Sequence, residues 1–123
     1  PFSGGGRVGA TLDSSSVSGL DIRGNPVKGG TGAQMKQVMK NLHDLLERHH
    51  SSLDRVVKCT LMLADLDDLA LVNEVYLGYF ARSRLPARSV LAVRRLPRSA
   101  RVALDCVALI EEYHEPQALA PGN

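Results

Sequence analysis

The sequence predicts an α+β domain in which one sheet carries two helices on the same face. Two stretches with apolar residues at helical spacing alternate with apolar, β-branched segments, in the order strand, strand, helix, strand, helix, strand, strand. The chain has 123 residues, of which 44% are hydrophobic, which suits one core but not two. We therefore expect one domain over residues 1–114 and a flexible tail over residues 115–123, which contain two prolines and a glycine.

The opening segment, residues 1–30, is rich in glycine and serine and has the weakest patterns. Short strands are predicted over residues 7–12 and 15–20, followed by a turn at residues 24–26, where Gly-Asn-Pro occurs.

Two helices are predicted from the apolar periodicity. The first runs from Thr31 to about His49, and Thr31 followed by Gln34 fits a capping box at its start. The second follows the acidic residues at 65–68 and runs to about Arg82. Their apolar stripes are residues 35, 38, 39, 42, 45 and 46, and residues 69, 72, 75, 76, 79 and 80.

Three further strands are predicted, over residues 56–64, 88–94 and 101–110, the last two joined by a turn at Pro97. Side chains alternate across a strand. We accordingly assign residues 57, 59, 61, 63, 89, 91, 93, 102, 104, 106, 108 and 110 to the helix-covered face. Residues 58, 60, 62, 88, 90, 92, 101, 103 and 105 then share the other face, whose mixed character is typical of a subunit interface that contains a polar pocket.

Charge and cysteine content narrow the function classes. The net charge is only +2, yet seven arginines fall between residues 82 and 101 and no acid lies within residues 75–104, so that segment needs an anionic partner, internal or external. Cys59 and Cys106 lie in apolar runs without metal-type spacing and are interpreted as buried free thiols. We expect no metal site and no transmembrane segment.

Three segments carry a resemblance to a known family. They are the helix start from Gln34 with its Asn41-Leu42 pair, the stretch 53–80 with Val72-Asn73-Glu74-Val75-Tyr76, and the tetrad Pro86-Ala87-Arg88-Ser89 followed by Leu96-Pro97. In this order and register they resemble the Rid/YjgF family of imine and enamine deaminases.

The resemblance implies a chorismate-mutase-like fold and a homotrimer with a substrate pocket between subunits. It also implies hydrolysis of 2-imino acids to 2-keto acids and ammonia, without a metal or organic cofactor. Arg88 is the implied grip on the carboxylate, since a guanidinium holds a carboxylate through two parallel hydrogen bonds. The alternative is that Arg88 pairs with a neighbouring acid.

The remaining pocket positions match the family less closely. Ser18-Gly19 resembles its pocket Ser-Gly, although Ser15, Ser16 or a solvated loop are alternatives. Phe2 stands where the family has a tyrosine, and Val90 where it often has a cysteine. These four positions, with Arg88, are the predicted substrate-binding residues.

One departure affects catalysis. The family usually has a glutamate fifteen residues after the pocket arginine, and here that residue is Ala103. Asp105 lies about 6.6 Å further along the strand and could instead pair with Arg101 or a partner subunit. The sequence therefore allows an altered deaminase, which we favour, or a carboxylate-binding protein without turnover.

A third hypothesis is an RNA-binding or ribonuclease role for the arginine-rich segment. The near-neutral charge and the absence of RNA-reading aromatic motifs argue against it. We expect a cytoplasmic protein, and because the chain starts at Pro1 rather than Met, we expect that residues precede it.

Overall fold

A computed structural model of the chain describes residues 5–8 and 11–110. Five strands form one sheet in the order β1-β2-β5-β3-β4, and every neighbouring pair is antiparallel except β3–β4. The elements are β1 (Gly5–Val8), β2 (Thr11–Ser18), α1 (Gly30–Arg48), β3 (Val56–Leu63), α2 (Leu69–Leu77), β4 (Ala87–Ala92) and β5 (Val102–Leu109). The predicted α+β class and the two helices are confirmed.

The main core lies between the helices and one face of the sheet. The predicted stripe of α1 is buried along its length, and on the sheet side Leu61, Leu63, Val102 and Leu104 are fully buried. A smaller apolar cluster of Leu96, Ala100 and Ala103 lies apart from this core, with Met62 and Val93 packed against it. No helix in the described ranges is long and apolar enough to cross a membrane.

The predicted capping box at the start of α1 is wrong. The helix follows Gly29, whose φ is 112°, and no side chain caps it. The Thr31 hydroxyl instead donates to the Asp68 carboxylate at 2.8 Å, and the Gln34 side-chain oxygen Oε1 accepts from the Arg101 backbone amide at 2.8 Å. Both side chains therefore fasten α1 to distant segments.

Element bounds also differ from those predicted at the N-terminal hairpin and at the end of α2. The two predicted strands, over residues 7–12 and 15–20, left residues 13–14 between them, but β2 runs through these residues, and the Ser14 hydroxyl bonds to the backbone of Cys106 inside the sheet. The polar residues that suggested a loop form an irregularity between Ser14 and Val17, with Ser16 at a φ of 46°. The second helix ends at Leu77, before Gly78, and not at Arg82.

The predicted faces hold for β5 but not for β4. Arg88 pairs with Cys59 in the β3–β4 register and Val90 packs against the main core, so both lie on the helix side, whereas Ser89 and Leu91 are exposed. An irregularity between Val56 and Lys58 likewise buries Val56 and exposes Val57. The assignment of Arg88 to the opposite face is therefore wrong.

Candidate functional site

Arg88 lies on β4, at the end of the strand order, and is half-buried. Its guanidinium carbon stands 4.8 Å from the centroid of the Tyr76 ring on α2, which is within the range of a cation–π interaction. Within residues 11–110 Arg88 forms no ion pair with any carboxylate. The ring thus holds a guanidinium whose hydrogen-bonding edge is not occupied by an acid of the described chain.

Two polar atoms of α2, the helix that carries Tyr76, are buried without a hydrogen-bond partner in the described residues. They are the Asn73 side-chain oxygen and the Tyr76 hydroxyl, which are three residues apart and so share a helix face. Burial, followed by the charge of the Cys59 thiolate, raises the pKa of Tyr76, so the hydroxyl keeps its proton. Sequence reasoning placed Tyr76 in the core, which is correct, but missed its contact with Arg88; the Asn-x-x-Tyr spacing was the available signal.

A thiol pair lies beside Arg88 in the sheet. Cys59 is the register partner of both Arg88 on β4 and Cys106 on β5, and the two sulfur atoms are 2.6 Å apart. A hydrogen bond from Cys106, together with the Arg88 charge, lowers the pKa of Cys59, while the same hydrogen bond and burial raise that of Cys106. The expectation of two buried free cysteines is confirmed.

Ser18 and Gly19 lie at the end of β2, where the Ser18 carbonyl accepts a hydrogen bond from Asn41 at 2.9 Å. A Cβ on Gly19 would come within 2.9 Å of the Gln34 Cα and carbonyl carbon, a separation that side chains do not tolerate. The space where a Gly19 side chain would lie is therefore filled by α1, and this packing is enough to explain the glycine. The predicted role of Gly19 in the approach of substrate stays a prediction.

Ser18 and Arg88 do not meet within one chain. Ser18 aligns through Ala103 and Met62 with Leu91, three residues beyond Arg88 on β4. Three strand spacings of about 4.8 Å and three residues of about 3.3 Å separate the two positions by roughly 17 Å. A small carboxylate cannot contact both.

Asp105, the one acid considered as a replacement for the family's glutamate, is engaged elsewhere. Ala103 is buried in the smaller apolar cluster. The Asp105 carboxylate accepts from the Ser16 backbone amide in the β2 irregularity. Arg101, one of the two partners considered for Asp105, binds Asp68 at 3.0 Å instead.

Of the other predicted site residues, one lies beside Arg88, one is outside the described residues and one lies elsewhere. Val90 is half-buried next to Arg88 on the helix side, and Phe2 lies outside the described residues. Ser18 lines an open cleft between β2 and α1 together with Gln37, Lys40, Asn41 and Arg48. A second cleft lies over α1 between Lys36, His43, Leu53 and Tyr79, and Arg88 borders neither. Among the described residues no group of three His, Cys, Asp or Glu side chains is placed to hold a metal ion.

Comparisons with known proteins agree with this architecture. The family model described as Endoribonuclease L-PSP matches residues 1–110. A mouse protein named 2-iminobutanoate/2-iminopropanoate deaminase is 40% identical over 110 residues, which are 89% of this chain and 81% of the mouse protein.

Solved structures give the same result. The crystal structure of the yeast protein YEO7 superposes with a TM-score of 0.85 at 33% identity, covering 89% of this chain and 87% of the yeast chain. RidA from an Antarctic Psychrobacter species gives 0.82 at 32% identity, covering 89% and 88%. The family match spans residues 1–110, so this chain belongs to the Rid/YjgF family of L-PSP-type proteins, which includes imine deaminases.

Proposed function

We propose that this protein binds small 2-imino and 2-keto acids through Arg88 and hydrolyses the 2-imino acids to 2-keto acids and ammonia. The observation that carries the proposal is the half-buried Arg88 guanidinium, held on the Tyr76 ring and without an acidic partner in the described chain. The names of the mouse and human relatives, 2-iminobutanoate/2-iminopropanoate deaminase, support the reaction class.

The chemistry requires binding and orientation more than strong acid–base catalysis. Arg88 would hold the substrate carboxylate through two parallel hydrogen bonds, which fixes the adjacent C=N bond. Water then adds to the imine carbon, a proton reaches the nitrogen, and the carbon–nitrogen bond breaks to release ammonia and leave a carbonyl group. An imine is reactive enough that positioning alone gives useful acceleration.

Ala103 leads us to expect an altered or weak deaminase. A methyl group cannot polarise water, and Asp105 is occupied by the Ser16 amide. The water would then have to be oriented by backbone groups, which are present whatever the side chain is. If they do not, the site binds carboxylates without turnover, which is the alternative within this proposal.

The pocket would lie between protomers of a homotrimer. The separation of roughly 17 Å between Ser18 and Arg88 within one protomer supports this arrangement, because a pocket that uses both residues needs one from each of two chains. Light scattering should give three times the protomer mass, and a monomer would refute the shared pocket.

The direct test uses freshly generated 2-iminopropanoate and measures release of the keto acid. Loss of a buried, hydrogen-bonded charge partner costs about 2–5 kcal/mol, so Arg88→Ala should reduce kcat/KM by at least about 30-fold. Arg88→Lys keeps the charge but not the planar fork and should remain impaired. Arg98→Ala, at an exposed position, is the matched control. Pyruvate binding without keto-acid release in the unaltered protein would select the non-catalytic alternative, and an unaffected Arg88→Ala variant would refute both.

Mixed trimers test whether the pocket is shared. Arg88→Ala removes the clamp, and Ser18→Asp places a negative charge where the substrate carboxylate must approach. Each variant alone should be inactive. After co-expression, random assembly leaves about a quarter of the pockets intact if each pocket takes the two residues from different chains, but none if both come from one chain. Mixed trimers without activity would therefore contradict the shared pocket.

An RNA-directed role is the second candidate. Arg82, Arg84, Arg94, Arg95 and Arg98 are exposed and form no ion pair within residues 11–110, and the family model is described as an endoribonuclease. RNA binding that falls steeply with salt and survives Arg88→Ala would favour it. If RNA stays unbound even at low salt, the RNA-directed role is excluded.

A further inference from the structure

The two cysteines of the chain face each other across β3 and β5. Cys59 and Cys106 are direct partners in the antiparallel register, and both are buried, with 0% and 2% of their surface exposed. Their sulfur atoms are 2.6 Å apart, about 0.6 Å more than the ~2.05 Å of a disulfide bond. Imine hydrolysis as proposed above uses neither thiol.

The sheet already provides the geometry that a disulfide requires. Opposed residues of antiparallel strands have Cα atoms about 4.5–5.5 Å apart, inside the range of roughly 4.4–6.8 Å found for disulfides. Further backbone pairing on either side of the two cysteines, from Lys58–Val107 to Leu63–Val102, holds the strands in register. Forming the S–S bond therefore needs movement of two sulfur atoms only, whereas peroxide and reductant reach the buried pair through local opening of the fold.

We propose that Cys59 and Cys106 form a redox-active pair, which a peroxide closes to a disulfide inside the folded sheet and a thiol reductant reopens. The proposal is independent of imine hydrolysis, although the pair lies next to Arg88 in the sheet.

The chemistry balances with one molecule of peroxide. The Cys59 thiolate attacks one oxygen, the O–O bond breaks, and Cys59 becomes a sulfenic acid as hydroxide leaves. Cys106 gives its proton to that hydroxide and attacks the Cys59 sulfur, which forms the S–S bond and expels a second hydroxide. This hydroxide takes up the proton that Cys59 released on forming its thiolate. Two thiols and hydrogen peroxide thus give a disulfide and two waters.

The environment supports Cys59 as the first nucleophile. The Cys106 hydrogen bond and the Arg88 charge favour its thiolate and lower its pKa. Cys106, whose pKa is raised, is the resolving thiol.

The test exposes the folded full-length chain to hydrogen peroxide, unfolds it in an alkylating agent and measures the intact mass. The chain has two cysteines in all, so a monomeric mass without alkylation identifies this pair, and reductant should restore two alkylated thiols. Cys106→Ser should leave a sulfenic acid at Cys59 that a dimedone probe traps. Two alkylatable thiols after peroxide, or closure only when the chain is oxidised in denaturant, would overturn the proposal.

Thermal unfolding supplies a second measurement. A cross-link between residues 47 apart restricts the unfolded chain, so the oxidised form should melt at least about 5 °C higher than the reduced form. The double variant Cys59→Ser, Cys106→Ser should show no such response to peroxide. A lower Tm on closure would show that the sheet does not accommodate the bond, and would also overturn the proposal.

Discussion

Replacing Gly19 by alanine should destabilise the fold, because α1 occupies the space where a side chain would be. The added Cβ would lie 2.9 Å from the Gln34 Cα and carbonyl carbon. These are backbone atoms of a helix and cannot rotate away. The end of β2 is equally constrained, since Asn41 binds the Ser18 and Leu20 carbonyls and the Gly19 carbonyl accepts from Val27.

The size of the effect follows from this overlap. The added Cβ would lie closer still to the Gln34 carbonyl oxygen, so relief of the clash needs a shift of about an ångström between β2 and α1, and overpacking of this kind costs about 1–3 kcal/mol. For a domain of this size that corresponds to a fall in Tm of roughly 5–15 °C. Urea unfolding followed by circular dichroism gives the free energy of unfolding directly.

Gly32→Ala is the matched control. A Cβ at Gly32 would lie 3.5 Å from the Leu71 side chain, an ordinary contact, and Gly32 is inside α1, where alanine is favoured by up to about 1 kcal/mol. We expect Gly32→Ala to be neutral or stabilising. If Gly19→Ala costs no more than Gly32→Ala, the packing explanation of Gly19 is wrong and a role in ligand approach regains support.

Three further changes test the site and its support. Tyr76→Leu should raise KM for the imine or Kd for pyruvate about 3- to 10-fold, because it removes a cation–π contact of about 1 kcal/mol. Tyr76→Phe keeps the ring and should leave both constants unchanged. If the two variants have equal effects, the ring does not position Arg88. Asp68→Asn should lower the free energy of unfolding by about 1 kcal/mol. The Asp68 pKa is lowered mainly by the Thr31 hydroxyl and then by Arg101. This stabilisation is therefore present above the unfolded pKa near 3.8 and is lost as pH falls through the lower folded pKa. If the unaltered protein and Asp68→Asn differ in free energy of unfolding by the same amount at pH 7 and pH 2.5, the prediction is wrong. Ala103→Glu should raise keto-acid release if the site lacks only an acid, and an unchanged or lower rate in a folded variant would mean that water is already held by other groups.

Local sequence patterns predicted the elements whose residues are buried on one side along their whole length. The stripe of α1 and the alternation of β5 are examples, because every buried position contacts the same core. The alternation of β4 could not be placed in the same way. Its phase depends on the parallel pairing of Arg88 with Cys59, and the connection before it carries no information on which face comes first.

Long-range hydrogen bonds account for the other errors. Thr31 and Gln34 have the spacing of a local capping box, but their partners lie 37 and 67 residues away in the chain. Ser14 fell between the two predicted N-terminal strands, yet its hydroxyl is buried against the Cys106 backbone 92 residues away. A short stretch of sequence does not show whether a polar side chain forms its hydrogen bonds with a distant residue, with its neighbours or with water.

The register of the sheet decides where a restored acid would act. Ala103 is the cross-strand partner of Ser18 and lies in a different row of the sheet from Arg88. In the shared pocket that we propose, a carboxylate at position 103 would therefore come from the protomer that supplies Ser18, whereas the clamp comes from a second protomer. Binding and water activation would then reside on different chains, so that one could be lost while the other is kept: Ala103 takes no part in the contact between Arg88 and Tyr76 that holds the proposed clamp in place.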